Sequence, residues 1–252
     1  MSLNFPLLGF LGLVLAAGSA NAGTFSLSLP LTDDASTGIS TARTYTHAIT
    51  GGGAATVNGV SFSLLNSSTT PANFTWTSTG GKAEVVNNNN NWVPATGGVT
   101  GPGLLSLLGS LTYAPQGPGP GASQTFTLSG LNVGTLYDTR LYIRSWDIAG
   151  SGRGIDLTAA NGAESNSFSI LEDRPGTVLG TGNVHQAYYI NYRFTAQTTS
   201  LDIIAAVPAG AAADSGSFHI YGLTNQVVPE PGSTLGALLA AGVFAVRRRR
   251  RN

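Results

Sequence analysis

Residues 125–146 read TFTLSGLNVGTLYDTRLYIRSW, and they show two strands and a turn more plainly than the rest of the chain. Residues 125–128 alternate polar and apolar side chains, and residues 129–134 carry the glycines and asparagine typical of a turn. Residues 137–146 then alternate over a full strand length. This segment predicts two strands joined by a turn.

The same two-residue alternation recurs in both directions from this segment. Further strands are predicted at residues 25–31, 45–49, 57–64, 74–76, 155–158, 168–171, 188–194, 201–205 and 218–223. Asn58-Gly59 predicts a turn or a bulge within the strand at 57–64. About ten strands separated by glycine, asparagine and proline favour an all-β fold, an antiparallel two-sheet β-sandwich. Residues 104–111 are predicted to form a short helix.

Two polar stretches are predicted to be exposed loops. Residues 87–91 are asparagines, and residues 116–122 are rich in proline and glycine. The second stretch could separate two subdomains, or it could join two halves of one sandwich. We favour one domain, because short strands need partners from both sides of the loop to bury both faces.

The charges are distributed unevenly. Five of the 12 basic residues are Arg247–Arg251, and one of the 12 acidic residues is Glu230. Seven basic and eleven acidic residues therefore remain in residues 23–228, which have a net charge near −4. A nucleic-acid-binding surface needs a basic patch, so we expect no nucleic-acid partner. The chain has no cysteine, which excludes disulfides, thiolate metal sites and cysteine nucleophiles.

The N-terminal residues resemble a secretory signal peptide. Residues 5–17 are mostly apolar, and Ala20-Asn21-Ala22 is an A-x-A signal-peptidase site. We therefore predict that signal peptidase removes residues 1–22 as a helical signal. Residues 1–4 lack lysine and arginine, which departs from the usual pattern, and a buried N-terminal helix is the alternative.

The C-terminal residues have three parts in a fixed order. Val228-Pro229-Glu230-Pro231 is followed by an apolar run at residues 232–246 and then by Arg247, Arg248, Arg249, Arg250 and Arg251. The apolar run as a helix would span about 22 Å, a little less than the ~30 Å hydrocarbon core. Each arginine costs about 2.5 kcal/mol or more at mid-membrane, so the arginines should stay in the cytoplasm. This order predicts a short transmembrane helix with the preceding residues outside.

These three parts resemble the PEP-CTERM sorting signal, which a membrane transpeptidase of the exosortase type recognises. The resemblance implies that Pro229, Glu230 and Pro231 form the recognition segment. It also implies that signal peptidase and exosortase act on the chain during export. The predicted division is residues 1–22 as signal peptide, 23–226 as ectodomain and 227–252 as sorting signal. The protein would be at the cell surface or extracellular, anchored transiently or permanently in the inner membrane by residues 232–246.

A second resemblance covers most of residues 56–225. The segments at residues 57–62, 128–137, 141–146 and 217–225 are similar to galactose-binding-like and carbohydrate-binding jelly rolls. The resemblance implies a jelly-roll-like sandwich. These segments are mainly strand and turn sequences, so they predict a fold and leave the ligand open.

Known catalytic patterns do not occur in the sequence. The three histidines, His47, His185 and His219, form no H-E-x-x-H motif, and no G-x-S-x-G sequence occurs. Glycoside hydrolysis needs two opposed carboxylates, but the acids at 33/34 and 172/173 are adjacent and would point to opposite faces of a strand. We therefore expect a protein that is not an enzyme. Single acids distant in sequence could still converge in the fold.

A calcium site is possible without being supported by a motif. Asp147 precedes a glycine-rich stretch, and Asp33 and Asp34 are the next candidates for oxygen ligands. None of them has the spacing of a calcium-binding loop, so we expect no metal site and no cofactor, and exposed turn acids are the alternative.

Sugar binding depends on aromatic residues, because the apolar C–H face of a pyranose stacks on an aromatic ring. Trp92 follows the asparagine run, and Trp146 ends the long strand. Leu141 and Ile143 lie on one face of that strand, and Arg140, Tyr142, Arg144 and Trp146 lie on the other. We predict ligand binding by Trp92, Trp146, Arg144 and Tyr142. Packing inside the protein, including arginine–aromatic stacking, is the alternative. Trp76 is a further candidate, whereas Tyr188, Tyr189 and Tyr192 are interpreted as core or cross-strand residues.

The sequence thus predicts an exported, non-catalytic protein of the cell surface or extracellular matrix that associates with exopolysaccharide. Two alternatives stay open. The first is an adhesive protein that binds copies of itself without a sugar ligand, and the second is an enzyme that acts on glycans.

Overall fold

A computed structural model describes residues 23–65, 71–79, 82–85, 99–113, 122–144, 154–171, 186–209 and 218–229. The described chain is mostly β, as predicted, with a 3-10 turn at Ala35–Thr37 and one α-helix, α1, at Pro102–Leu107. Its strands are β1 (Thr24–Leu27), β2 (Tyr45–Thr50), β3 (Thr56–Val57), β4 (Val60–Ser61), β5 (Ser63–Leu64), β6 (Phe74–Thr79), β7 (Lys82–Val85), β8 (Ser110–Tyr113), β9 (Ser123–Ser129), β10 (Leu136–Arg144), β11 (Gly154–Asn161), β12 (Glu164–Leu171), β13 (Ala187–Thr195), β14 (Ser200–Ala206), β15 (His219–Ile220) and β16 (Gly222–Val227).

The strands form two large sheets and two small ones. The six-stranded sheet has the order β1-β13-β10-β16-β2-β5, and the five-stranded sheet has the order β12-β11-β14-β9-β6. A three-stranded sheet, β15-β8-β7, and the β3-β4 hairpin complete the set. All neighbours in the large sheets are antiparallel except β2 and β5, which are parallel. The prediction of antiparallel sheets is therefore corrected for the β2–β5 pair.

The main hydrophobic core lies between the two large sheets. Leu141 and Ile143 of β10 belong to the same buried cluster as Leu157 of β11 and Ile203 of β14. Alternate residues of each strand point into this cluster, because successive side chains of a strand project to opposite faces. Burying both inner faces in one cluster holds the two sheets face to face.

A second buried cluster covers the outside of the six-stranded sheet. Tyr142 of β10 belongs to it, together with Val57 of β3 and Leu104 and Leu107 of α1. Strand β10 is therefore buried on both faces from Tyr137 to Arg144. The helix α1 and the β3–β4 hairpin thus form a third layer outside the six-stranded sheet. Two-residue alternation did not predict this layer.

The predicted turn at Asn58-Gly59 is confirmed. Both residues have positive φ, 48° for Asn58 and 80° for Gly59, and they join β3 to β4. Two-residue hairpin loops require this conformation because it matches the twist of the flanking strands, and Asn-Gly adopts it readily.

Two sequence predictions are corrected by the connections between layers. The helix predicted at 104–111 ends at Leu107, and Ser110–Tyr113 is instead strand β8, held between β7 and β15. The strand predicted at 218–223 is divided at Tyr221, whose N–H donates to Tyr142 O (2.8 Å) and whose carbonyl accepts from Gly51 N (3.1 Å). The chain changes sheets there, so β15 and β16 have different partners.

The two predicted terminal segments lie outside the described residues, apart from the start of the C-terminal one. Strand β16 ends at Val227, the Val228 N–H donates to Leu136 O (2.9 Å), and Pro229 is exposed. Among the described residues, no helix has the length and apolar character needed to cross a bilayer.

Candidate functional site

The outer face of the six-stranded sheet carries a group of polar and aromatic side chains. Strand register places Arg140 opposite Asn191, Asp138 opposite Gln226, and Tyr142 opposite Tyr189. These residues project away from the core because Leu141 and Ile143, the odd-numbered neighbours on β10, project into it. We call Asp138, Arg140, Tyr189, Asn191 and Gln226 the polar patch.

Arg140 organises the polar patch. Its Nε donates to Asp138 Oδ1 (2.9 Å), and its Nη1 donates to the Thr37 carbonyl (2.8 Å). Burial is the largest influence on the pKa of Arg140 and lowers it, but the charge and hydrogen bond of Asp138, with smaller contributions from two tyrosines, raise it above its ordinary value. The guanidinium therefore stays charged, and its position is set by groups from two segments of the chain.

The loop that carries Thr37 approaches the guanidinium closely at a glycine. Gly38 has φ +66°, and a Cβ there would lie 2.6 Å from Arg140 Nη1. Only glycine combines this left-handed conformation with such a close approach. The loop thus covers Arg140 on one side.

Tyr189 is the half-exposed aromatic residue of the polar patch. The Arg140 guanidinium carbon lies 4.5 Å from its ring centroid, and the Tyr142 ring lies 5.8 Å away in an edge-on arrangement. Cation–π and edge-to-face contacts of this kind fix the orientation of a ring. Tyr189 is therefore a rigid aromatic group with part of its surface exposed.

Two amide side chains of the polar patch retain unused hydrogen-bonding capacity. Gln226 is 1% exposed, and neither its Oε1 nor its Nε2 has a hydrogen-bond partner within the part of the chain that the structure describes. Asn191 Oδ1 is likewise unpaired among those residues. Buried amides are nearly always satisfied in folded proteins, so these unpaired atoms are exceptions to that rule, and they lie beneath the surface.

Tyr142 and Arg144, two of the predicted ligand-binding residues, are fully buried. The Tyr142 hydroxyl donates to the Thr37 carbonyl (3.4 Å), and burial raises the pKa of Tyr142. The guanidinium carbon of Arg144 lies 5.2 Å from the Tyr221 ring centroid. The prediction that Tyr142 and Arg144 bind a ligand is therefore corrected, because both side chains are buried beside the second hydrophobic cluster. The alternative of arginine–aromatic stacking within the protein describes them instead.

Of the three tryptophans, the structure describes Trp76. Trp92 and Trp146, the other two predicted ligand-binding residues, lie outside the described residues, so their binding role stays a prediction. Trp76 packs against the main core, and its Nε1 donates to Gln124 Oε1 (3.4 Å). The tyrosine interpretation is confirmed: Tyr188 and Tyr192 belong to the core, and Tyr189 pairs across the strands with Tyr142.

The acidic residues considered for calcium have structural partners. Asp34 accepts hydrogen bonds from the N–H groups of Gly103 (3.1 Å) and Leu104 (2.6 Å), and so caps α1. Asp33 Oδ1 accepts from Ser36 N (2.8 Å), and Asp147 lies outside the described residues. In the described ranges, no three histidine, aspartate or glutamate side chains are grouped as a metal site would require.

His47 belongs to a buried polar network on the inner side of the six-stranded sheet. Its Nε2 lies 2.9 Å from Asn73 O, and its Nδ1 lies 3.0 Å from Thr46 Oγ1. Burial lowers the pKa of His47, and the hydrogen bond to Asn73 only partly opposes this effect. Structural hydrogen bonds thus hold the ring, and neither of the groups that His47 contacts in these bonds is a carboxylate.

The outer face of the five-stranded sheet is a contrasting surface of small hydroxyl side chains. Its outward positions include Thr75, Thr77, Thr79, Thr125, Thr127, Thr158, Ser165, Ser167 and Ser169. Its two acids are held by hydroxyls, since Thr127 donates to Asp202 (2.6 Å) and Ser169 to Asp156 (2.6 Å). The outward positions of the described strands of this sheet hold no aromatic side chain.

The sequence analysis placed Arg140 on this face of β10. It did not predict that Asp138, Asn191 and Gln226 would be the neighbours of Arg140. The alternation of β10 predicted which of its side chains share the outer face of the sheet. The pairing of β10 with β13 and β16 did not follow from the sequence, because the partners lie about 50 and 85 residues away along the chain.

No protein-family model and no curated protein matches the chain. Among solved structures, it is similar to a plant complex of the peptide RALF23 with FER and LLG2, with 10% identity, a TM-score of 0.49, and coverage of 74% of this chain and 49% of that one. It is similar to the ANXUR1 extracellular domain from Arabidopsis thaliana, with 9% identity, a TM-score of 0.43 and coverage of 81% and 49%.

A third similar structure is TmCBM61 in complex with β-1,4-galactotriose, with 12% identity, a TM-score of 0.35, and coverage of 63% of this chain and 90% of that one. The chain spans about half the length of the two plant proteins. Likenesses at these identities and TM-scores assign neither a family nor an activity.

Proposed function

We propose that the protein is an exported, non-catalytic component of the cell surface or extracellular matrix that associates with exopolysaccharide. Its ectodomain, residues 23–226, would be a jelly-roll-like β-sandwich, and an exosortase-type system would sort it through residues 227–252. The polar patch is the surface that we assign to the polysaccharide.

The observation that carries this proposal is Tyr189, a half-exposed ring held 4.5 Å from the Arg140 guanidinium carbon. A preorganised ring loses little conformational freedom when a ligand stacks on it. Asn191 lies beside it on the same strand face, two residues along β13. A partly exposed aromatic ring can stack on the apolar face of a pyranose, and a polar residue beside it suits the hydroxyl groups of the sugar.

The same geometry favours binding over hydrolysis. The polar patch contains one carboxylate, Asp138, and that group is paired with Arg140 at 2.9 Å. Glycoside hydrolysis requires a second carboxyl group placed across the scissile bond. Ligand binding by Trp92 and Trp146 remains part of the proposal, because loop tryptophans would extend the aromatic surface.

The C-terminal end of the described fold is compatible with the proposed sorting. Strand β16 lies between β10 and β2, and it ends at Val227, two residues before Pro229. Pro229 is exposed and, lacking an N–H, cannot continue the sheet. An enzyme acting on Pro229–Pro231 would therefore meet this segment beyond the last strand.

Retention of the purified protein on immobilised exopolysaccharide tests the proposal. We expect the wild-type chain to be retained and Tyr189→Phe to be retained similarly. Tyr189→Ala should lose retention about 10-fold or more, by analogy with the stacking of a nucleobase on an aromatic side chain, which contributes about 1–3 kcal/mol. Thr158→Ala, on the hydroxyl surface of the other sheet, is the matched control and should bind normally.

The melting temperature of each variant must be measured, so that lost retention is not mistaken for unfolding. Equal retention of folded Tyr189→Ala and wild type would overturn the assignment to the polar patch. Concentration-dependent self-association with no retention on any glycan would favour the adhesive alternative, and turnover of the polysaccharide would favour the enzyme.

A further inference from the structure

The backbone nitrogen of Gly23 lies 3.3 Å from Glu164 Oε2, and it donates a hydrogen bond to that carboxylate. The two residues are 141 positions apart in sequence, so this contact forms only in the folded chain. Gly23 is buried just before β1, and Glu164 is the half-buried first residue of β12. A carboxylate thus faces the nitrogen at which the sequence predicts signal-peptidase cleavage.

The position of Gly23 is also sterically restricted. A Cβ at this residue would overlap the hydroxyl and ring of Tyr192. The Tyr192 hydroxyl is itself held by Asn166, whose Nδ2 donates to it at 3.0 Å. Glycine is therefore the residue that lets the backbone nitrogen reach Glu164, and the surrounding side chains are fixed around it.

We propose that Glu164 is the built-in acceptor for the new N-terminus of the mature protein, so that removal of residues 1–22 creates an ion pair between Gly23 and Glu164. This inference depends on the export part of the proposed function. In the cleavage, the Ala22–Gly23 C–N bond breaks and one water is consumed. The hydroxyl adds to the Ala22 carbonyl carbon, and the Gly23 nitrogen, having gained a proton from water and one from the new carboxyl group, becomes an ammonium.

Cleavage changes the chemistry of this contact while its atoms stay in place. Before it, one amide N–H donates to the carboxylate; after it, a cationic nitrogen with three N–H donors faces the same oxygen. A hydrogen bond to an ionised carboxylate is already stronger than a neutral one, and cleavage adds the attraction between two opposite charges. An unpaired ammonium at a buried position would be costly, and Glu164 removes that cost.

The other charged or titratable groups near this contact come from β13. Burial raises the pKa of Tyr192, the hydrogen bond from Asn166 partly opposes this effect, and the charge of Glu164 adds a smaller increase, so the phenol stays neutral. Arg193 is exposed and pairs in register with Thr24, the residue after Gly23. Glu164 is therefore the negative group that faces the nitrogen.

The ion pair would join the two large sheets at an edge. Strand β1 belongs to the six-stranded sheet and β12 to the five-stranded one, and Phe25 and Phe168 already pack with ring centroids 5.7 Å apart. Cleavage would thus stabilise the contact between β1 and β12 at this edge of the two large sheets.

A double-mutant cycle tests the proposal on the chain ending at Asn252, in one mild detergent because residues 232–246 are apolar. One form begins at Gly23 and the other at Ala20, which moves the ammonium three residues away. Each is prepared with Glu164 and with Glu164→Gln. We expect Glu164→Gln to lower the melting temperature of the Gly23 form by about 2–4 °C more than that of the Ala20 form.

The matched control is Asp156→Asn, a carboxylate loss on the neighbouring strand β11, which should have equal effects in both forms. Titration of the labelled Gly23 amine by NMR should give a higher pKa with Glu164 than with Glu164→Gln. The extra stability should then vanish as pH rises through that pKa. Equal effects of Glu164→Gln in both forms, or an unchanged amine pKa, would overturn the ion pair.

Intact-mass analysis of the exported protein tests the cleavage separately. A mature N-terminus other than Gly23 would overturn the maturation step, whatever the double-mutant cycle shows. Loss of polysaccharide retention in Tyr189→Ala tests the polar patch and does not bear on either result.

Discussion

Asp34 shows how a single side chain can stabilise an element distant in sequence. It lies about 70 residues before α1, yet its two carboxylate oxygens accept the N–H groups of Gly103 and Leu104. The residue at the helix boundary, Gly101, makes no side-chain cap of its own. A cap supplied by another segment leaves no local signature such as serine or aspartate just before the helix.

We predict that Asp34→Ala lowers the free energy of unfolding by about 1–2 kcal/mol, because two helix N–H groups lose their acceptor. Urea denaturation measures the loss. Asp34→Asn should lose less, since its amide oxygen can still accept one of the two hydrogen bonds. Equal losses in both variants would show that charge, rather than capping, matters at this position.

His47 is predicted to make stability depend on pH. Its pKa is lowered in the folded state, mainly by burial, so below its ordinary value near 6.5 the unfolded chain binds the proton more readily. Stability should therefore fall as the pH drops below about 6.5. Melting temperatures of wild type and His47→Gln, measured from pH 8 to pH 5, should show a smaller decrease in the variant. An identical decrease would assign the effect to other groups.

Strand β10 is the element in which sequence and structure differ most usefully. Its alternation correctly separated Leu141 and Ile143 from Tyr142 and Arg144. Alternation states which side chains share a face, but not what covers that face. The cover of Tyr142 comes from α1 and from the segments around Leu31 and Val57, whose approach depends on tertiary contacts.

The β3–β4 hairpin gives a prediction at the scale of an element. Gly59 has φ +80°, so Gly59→Ala should destabilise the protein by about 1 kcal/mol through backbone strain. A methyl at this position would also lie 3.1 Å from Thr41 Cγ2. Ser61→Ala, on the exposed side of the same hairpin, is the control and should change the urea midpoint little. A larger effect of the control would contradict the strain argument.

At the scale of the whole molecule, three layers divide the outer surfaces into two kinds. The third layer covers the outer face of the six-stranded sheet around Tyr142, and within the polar patch Tyr189 and Asn191 are partly exposed while the other members are buried. The five-stranded sheet instead exposes hydroxyl side chains. The chain carries few charges before the C-terminal arginines, 18 in residues 23–228. Its outer chemistry is thus mainly that of neutral hydrogen bonding, which agrees with a neutral polymer as the proposed partner.

Replacing Arg247–Arg251 by serine tests the proposed topology of the whole chain. Without the positive charges, residues 232–246 lose the groups that should hold the C-terminus in the cytoplasm. We expect the variant to be released from the membrane rather than retained until sorting, as measured by cell fractionation and immunoblotting. Replacement by lysine keeps the charge and should preserve retention. Normal retention of the serine variant would refute the topology.

The linear order of residues was sufficient for local properties. Alternation predicted the strands and Asn58-Gly59 predicted a turn or a bulge, because both depend on neighbours within a few positions. The composition alone excluded thiol chemistry, since the chain has no cysteine. The burial of Tyr142 and Arg144, the capping by Asp34 and the contact of Gly23 with Glu164 depend on segments that lie tens of residues apart, and 141 positions apart for Gly23 and Glu164. Such contacts form only when packing places those segments side by side, and no local pattern records which segments will meet.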